Sequence, residues 1–306
     1  MKLYKMYNFL TITYNFMRKL HMEIMRIRKK NSTRDRLKVV LILFSLMIVL
    51  AILANIVHDS RQMGKTATIK LLLGTALKPV GSTMYVWGGG WNDEDSGSGG
   101  GATKLGLSEQ WKIFAKMQDE QYDFKEHRFE REKGLDCSGF VGWVLYNIFE
   151  VNEGKSGYVI TSTDMAESLA QRGWGKLVKN PREFLPGDIV SMEGHVWISL
   201  GTCEDGSVLL VHSSPPGVSV CGTSIKQPNG DMSDTTLSES MAIHLAMEYM
   251  EKNHPEWQKK YPNRKVELSY IENVIVFRWS KFVMLDAEEM QQKNAEEIME
   301  ILSPAM

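Results

Sequence analysis

Apolar residues recur at three- and four-residue steps in the segment that follows Cys137. They are Phe140, Val141, Val144, Leu145 and Ile148. This spacing is typical of a helix with one buried face. Asp136 or Ser138 can cap the beginning of that helix, so we expect Cys137 to lie in its first turn.

Two strand-like segments follow about sixty residues later. His195 begins the apolar segment 195–201, and the segment Pro186-Gly187-Asp188-Ile189-Val190 precedes it. His212 ends the next apolar segment, residues 208–212. The pair Asp205-Gly206 between them is a strong hairpin signal. Adjacent antiparallel strands would bring both imidazoles to one edge of a sheet.

Other periodic segments predict the remaining elements. They are helices over 66–77, 163–170, 236–252 and 286–302, the last one acidic, and a closing strand over 270–279. The helix at 236 begins with a capping box, Thr236-Leu237-Ser238-Glu239. An amphipathic stretch over 108–133 is either a lid over a cleft or a helix that covers the domain.

Residues 39–57 carry no charge. At ~1.5 Å per helical residue this length nearly spans the ~30 Å hydrocarbon core of a bilayer. We therefore predict a single transmembrane helix, preceded by a basic cytoplasmic segment over 1–38 and followed by a linker with a helix over 58–80. The lipid bilayer is then one partner, and other proteins of a membrane complex are further candidates.

Charge is distributed unevenly along the chain. The net charge is −1, but residues 1–38 hold eleven Lys or Arg and two acidic residues. Under the positive-inside rule, this places the N-terminus in the cytoplasm and the rest outside the membrane. Secretion after cleavage of a signal peptide is the alternative. No basic, aromatic surface follows residue 58, so no nucleic-acid partner is expected.

The chemistry centres on Cys137. A thiol in the first turn of a helix lies near the positive end of the helix dipole, which predicts a lowered pKa. His195 is the candidate general base and His212 the candidate orienting residue, an arrangement that serves nucleophilic catalysis. No spacing typical of a metal site is present, and no cofactor is expected.

Five short motifs, taken in order, resemble the NlpC-type cell-wall cysteine peptidases. They are Tyr85-Val86-Trp87-Gly88-Gly89, Asp136-Cys137-Ser138-Gly139-Phe140-Val141, Pro186-Gly187-Asp188, Gly194-His195-Val196 and Val211-His212-Ser213. The resemblance covers residues 81–220, with 273–279 as a closing strand. It implies an α+β, papain-like fold, in which the nucleophile helix packs on a small antiparallel sheet behind the transmembrane helix.

The resemblance also implies activity and roles. The substrate would be the stem peptide of bacterial peptidoglycan, cleaved between γ-D-glutamate and the diamino acid. Cys137, His195 and His212 would be catalytic, and Tyr85, Asp136 and Ser138 would line the substrate site. Trp197 stands where the family has glycine, so we expect its ring to reshape the cleft beside His195.

This chain departs from the family in length. Tyr85 and Cys137 are 52 positions apart, more than is usual in the family. We therefore interpret residues 91–133 as an insertion in a catalytic domain over 81–280, and residues 224–268 as a second insertion. An acidic C-terminal helix over 281–306 follows this domain. An amidase or acyltransferase on the same substrate, or a degenerate wall-binding component, are alternatives.

Cys203 and Cys221 are the only pair available for a disulfide, but a meander would separate them by two strand spacings, too far for a bridge.

Overall fold

The computed structural model of the chain describes residues 66–179, 181–225 and 240–302. Its centre is a nine-stranded sheet of mixed direction, in the order β2-β1-β7-β6-β5-β4-β9-β3, with β8 paired to β7. The strands are β1 Met84–Tyr85, β2 Gly134–Leu135, β3 Gly175–Val178, β4 Ile189–Met192, β5 His195–Thr202, β6 Val208–Ser214, β7 Gly217–Thr223, β8 Lys265–Val266 and β9 Ile275–Trp279.

Seven α-helices surround the described part of this sheet. They are α1 Ile69–Leu77, α2 Glu109–Met117, α3 Cys137–Phe149, α4 Met165–Gln171, α5 Met241–Asn253, α6 Pro255–Lys260 and α7 Ala295–Leu302. Helix α3 is buried along its whole length and packs against α1, β5 and β6. The predicted helix over 286–302 is shorter than expected, because a 3₁₀ turn over Met290–Gln292 precedes α7.

The sheet separates two apolar clusters. Side chains alternate between the faces of a strand, so Val196 and Ile198 of β5 join the large core with α3. Trp197 lies between them in sequence and joins the smaller cluster on the opposite face. His195 is two residues before Trp197 on β5 and therefore lies on the same face of the strand. Burial of both faces explains why the central strands are almost continuously apolar.

Two glycine-rich segments meet at the beginning of α3. A Cβ atom on Gly139 would lie 2.0 Å from the carbonyl oxygen of Gly89, and the amide of Asp136 donates to the same oxygen at 3.0 Å. Only glycine permits this approach of two backbones. The contact brings the residues around Tyr85 to Cys137, although the first insertion separates them in sequence.

The motif Pro186-Gly187-Asp188 has a structural role. The carboxylate of Asp188 is fully buried and accepts from Arg278 on β9, with Nη2 at 2.6 Å and Nε at 2.9 Å. The same carboxylate accepts from the amide of Leu185 at 2.9 Å. The ion pair therefore joins the turn before β4 to the last strand of the chain.

Both insertions pack on the domain. In the first, Trp111 and Phe114 of α2 are buried, which favours the covering helix over the lid for this part of residues 108–133. In the second, α5 packs on β7. The two insertions also touch, because Lys260 Nζ and Tyr261 Oη donate to the carbonyl oxygens of Gln118 and Asp119, both at 2.6 Å.

The expected fold class needs correction. The sheet is not small and antiparallel: it has nine strands, and the pairs β1–β2 and β7–β8 are parallel. Of the additional strands, β8 lies in the second segment that we interpreted as an insertion, β1 and β2 lie just before and just after the first one, and β3 pairs with β9.

The expected membrane topology also needs correction. The predicted helix over 39–57 lies outside the described residues. Within the part of the chain that the structure describes, no helix combines the length and apolar character needed to cross a membrane. The structure therefore does not support the single-pass fold or the localisation inferred from it.

All three cysteines are free thiols. Strand β6 lies between β5, which Cys203 follows, and β7, which carries Cys221. The two residues also belong to different apolar clusters, on opposite faces of the sheet. The separation expected from the meander is confirmed, and no bridge forms between them.

Candidate active site

Cys137 is the first residue of α3, as the sequence predicts. Asp136 is the N-cap, and its Oδ1 accepts from the amide of Gly139 at 2.7 Å and from the hydroxyl of Ser138 at 2.8 Å. Its Oδ2 accepts from the amide of Gly88 at 3.2 Å. One carboxylate thus caps the helix and ties it to the aromatic-glycine segment.

The sulfur of Cys137 lies against the beginning of β5. Sγ is 4.0 Å from the carbonyl oxygen of Gly194, and the backbone amide of Val196 donates to it. These two residues flank His195 in the chain. Among the described residues, however, no hydrogen bond joins Sγ to either imidazole ring.

The thiol is not activated in the free protein. Burial and, to a smaller extent, the nearby carboxylate of Asp136 raise the pKa of Cys137 to about 12. Backbone amides at the beginning of the helix lower the pKa, but by less. The expected lowered pKa is therefore wrong, because removal of the sulfur from water outweighs the helix dipole.

His195 and His212 form a hydrogen-bonded pair. Nε2 of His195 lies 3.0 Å from Nδ1 of His212, and the rings are nearly perpendicular. Burial lowers the pKa of His195 to about 4 and the pKa of His212 well below its usual range. Both rings are neutral at neutral pH, so one ring nitrogen donates and the other accepts. If His195 donates through Nε2, its Nδ1 is free to take a proton.

Tyr270 was not identified from the sequence. Its ring packs on both imidazoles, with centroids 5.3 Å from His195 and 5.6 Å from His212. It ends a 3₁₀ turn over Leu268–Tyr270, next to the second insertion. The sequence offered no signal for this contact, since an aromatic residue before the last strand is an ordinary core residue.

A cleft of about 310 Å³ opens at Cys137. Four of the predicted site residues line it: Tyr85, Asp136, Cys137 and Ser138. The other walls are formed by Trp87, Gly88, Trp91, Asp95, Phe129, Thr161, Ser162 and Gly194. Neither His195 nor His212 is among the residues that line this cleft.

Trp197 is not at the cleft, and the role expected for it is corrected. Its ring is fully buried and packs on Phe184, with centroids 5.5 Å apart. Trp197 lies on the same face of β5 as His195, but two residues farther along the strand, where it packs into the smaller core.

Tyr85 is held by contacts from the first insertion. The hydroxyl of Tyr122 donates to the carbonyl oxygen of Tyr85 at 2.7 Å, and the ring of Phe124 packs edge-on against its ring at 5.4 Å. Burial raises the pKa of Tyr85, so the phenol stays protonated. It can therefore donate a hydrogen bond to a ligand in the cleft.

The remaining polar groups are already engaged. Ser138 Oγ accepts from the indole of Trp91 at 3.0 Å while it donates to Asp136. Burial raises the pKa of Asp136 to about 6 despite the hydrogen bonds that it accepts. Within the described ranges, no cluster of His, Cys, Asp or Glu is arranged to hold a metal ion.

In comparisons with known proteins, no family model, curated protein or solved structure matches this chain.

Proposed function

We propose that this protein is a cysteine hydrolase that cleaves an amide bond in the stem peptides of peptidoglycan. One observation carries the proposal. A cysteine at the beginning of a helix lies in a cleft, and its sulfur touches the backbone on both sides of a histidine that a second histidine orients. The choice of substrate rests on the motifs around these residues.

The reaction needs a proton acceptor at the moment of attack. Sγ of Cys137 forms a bond to the amide carbonyl carbon, and the thiol proton passes to Nδ1 of His195. His212 accepts from Nε2 of His195 and so keeps that ring in the required tautomer. The protonated His195 then gives its proton to the departing amine, and water hydrolyses the thioester.

The oxyanion needs hydrogen-bond donors. The backbone amide of Cys137 lies at the beginning of α3, where helix amides have no partner within the helix, whereas the amide of Ser138 donates to the carboxylate of Asp136. The phenol of Tyr85, which lines the same cleft, is a further donor. Loss of one such donor typically costs ~3 kcal/mol of barrier.

The raised pKa of Cys137 and the lowered pKa of His195 constrain the order of events. An ion pair of thiolate and imidazolium is unfavourable in the free protein, since burial penalises both charged forms. Proton transfer therefore accompanies attack on the bound substrate and does not precede it.

A wall-binding component without activity is the second candidate. It is favoured by one observation: among the described residues, the sulfur of Cys137 has no hydrogen bond to the ring of His195. An amidase or acyltransferase would use the same residues on another bond, and the masses of the products distinguish these reactions.

The test is incubation of the full chain with defined muropeptides, followed by mass analysis. The wild type should produce a free γ-glutamyl carboxyl group and a free diamino-acid amine. Cys137→Ala should abolish cleavage. Cys203→Ala, which removes a buried thiol remote from the cleft, should leave cleavage unchanged. Retention of cleavage in Cys137→Ala would contradict the proposal, and binding of muropeptide without any cleavage would establish the second candidate.

A further inference from the structure

The returning end of the first insertion forms one wall of the cleft. The ring of Phe129 lines the cleft, and its amide donates to the carbonyl oxygen of Trp87 at 2.7 Å. Phe129 has a φ of 63°, which an aromatic residue rarely adopts. A side chain on Gly88 would meet this ring, since a Cβ atom there would lie 2.8 Å from it. The wall is therefore a defined part of the site.

Arg128 adds a positive charge to this wall. Its guanidinium lies 5.4 Å from the centre of the Trp87 ring and 5.6 Å from that of Phe129. Both rings are about half exposed and line the cleft. The two rings thus hold the cation at the rim of the cleft by cation–π contacts.

The charge of Arg128 is uncompensated within the described residues, where no carboxylate pairs with it. Arg131, three residues on, differs: it pairs with Asp93 at 3.0 Å and with Asp95 at 2.7 Å. Asp95 also lines the cleft, but Arg131 neutralises its negative charge. The positive charge of Arg128 acts to lower the pKa of the Tyr85 phenol, although burial raises that pKa by more. The charge of Arg128 therefore acts on Tyr85, which lines the same cleft as Cys137.

We propose that Arg128 is a specificity-determining residue that binds a carboxylate next to the scissile bond. This inference rests on the proposed function. Glutamate joined through its γ-carbonyl leaves its α-carboxyl group outside the peptide chain, a few bonds from the carbon that Cys137 attacks. A guanidinium fork matches the geometry of a carboxylate and donates two parallel hydrogen bonds to it. The substrate class is thus stem peptides with a free α-carboxyl group, rather than the α-carboxamide.

Two peptides that differ only in this group provide the test. The wild type should cleave the free acid with a kcat/KM on the order of tenfold above that of the carboxamide, as a charge-assisted hydrogen bond gives. Arg128→Gln should lose this preference by slowing cleavage of the acid alone. Arg128→Lys should retain part of it. An unchanged preference in Arg128→Gln would overturn the inference.

Arg172→Gln is the matched control. Arg172 also lies over two aromatic rings, 5.9 Å from Tyr158 and 5.4 Å from Trp174, but neither of these rings lines the cleft, whereas Trp87 and Phe129 beneath Arg128 both do. This variant should keep the preference of the wild type.

Calorimetry separates this inference from the proposed function. The unreactive Cys137→Ala variant should bind the acid more tightly than the carboxamide, and adding Arg128→Gln should remove the difference. That result supports the carboxylate site even if the wild type cleaves neither peptide, an outcome that would contradict hydrolysis alone. Equal binding of both peptides by Cys137→Ala would overturn the inference.

Discussion

Nε2 of His195 and Nδ1 of His212 are 3.0 Å apart, and the ring of Tyr270 packs over both. The pair lies on neighbouring strands, β5 and β6, and is shielded from water on the side of Tyr270. Because burial lowers the pKa of both rings, both are neutral at neutral pH.

His212→Ala should alter the pH dependence of activity as well as its rate. His195 must be neutral to act as a base, so the wild-type kcat/KM should fall only as the pH drops through about 4. Without His212, water enters beside His195 and the desolvation that lowers its pKa is relieved. The acid limb should move to higher pH, and kcat should fall by roughly a hundredfold.

The measurement is a pH–rate profile of both proteins, with circular dichroism to establish that the variant is folded. An acid limb at the same pH in both proteins would contradict the assignment of His195 as the base.

Asp136→Asn should make the thiol of Cys137 more reactive. The carboxylate raises the pKa of that thiol, whereas asparagine caps a helix about as well without a charge. Alkylation by iodoacetamide should be slow at neutral pH in the wild type and roughly threefold to tenfold faster in the variant. Mass spectrometry of the labelled peptide reports on Cys137, and the buried Cys221 is the internal reference. Equal rates at Cys137 in both proteins would refute this electrostatic account.

Arg278→Met should destabilise the fold. Asp188 is fully buried, and Arg278 donates to both of its oxygens. Removal of the cation leaves a buried carboxylate unpaired, which typically costs about 3–5 kcal/mol of unfolding free energy. Urea denaturation measures the loss. The double variant Asp188→Asn with Arg278→Met should recover part of it, and a loss below about 1 kcal/mol in the single variant would show that the pair is unimportant.

Gly139→Ala should disturb both stability and activity. Its added methyl group would meet the backbone of Gly89 at 2.0 Å, and relief of that clash must shift the beginning of α3 and hence Cys137. Overpacking of this kind costs typically 1–3 kcal/mol. Gly74→Ala is the control, since nothing lies within 4 Å of a Cβ atom at that site in α1. It should stabilise the protein by about 0.5–1 kcal/mol.

Thermal unfolding and muropeptide cleavage measure the two effects of these glycine variants. Equal stability of both would show that the close approach of Gly139 to Gly89 is relaxed at little cost.

Local patterns in the sequence were sufficient for the elements that carry the chemistry. The apolar period after Cys137, with a capping side chain at Asp136 or Ser138, predicted the beginning of α3, and the structure shows that Asp136 is the cap. The pair Asp205-Gly206 predicted the hairpin of β5 and β6, and with it the meeting of His195 and His212. These features depend on residues close in the chain, where turn geometry and side-chain period act directly.

Long-range packing decided the rest. Burial raised the pKa of Cys137, whereas the helix dipole alone predicted a lowered pKa. Trp197 packs into the smaller apolar cluster, on the face of β5 that points away from α3. Contacts across the fold brought Tyr270 to the imidazoles and placed Phe129, near the end of the first insertion, in the wall of the cleft. Such outcomes depend on which surfaces meet, because desolvation and close packing are set by neighbours distant in sequence.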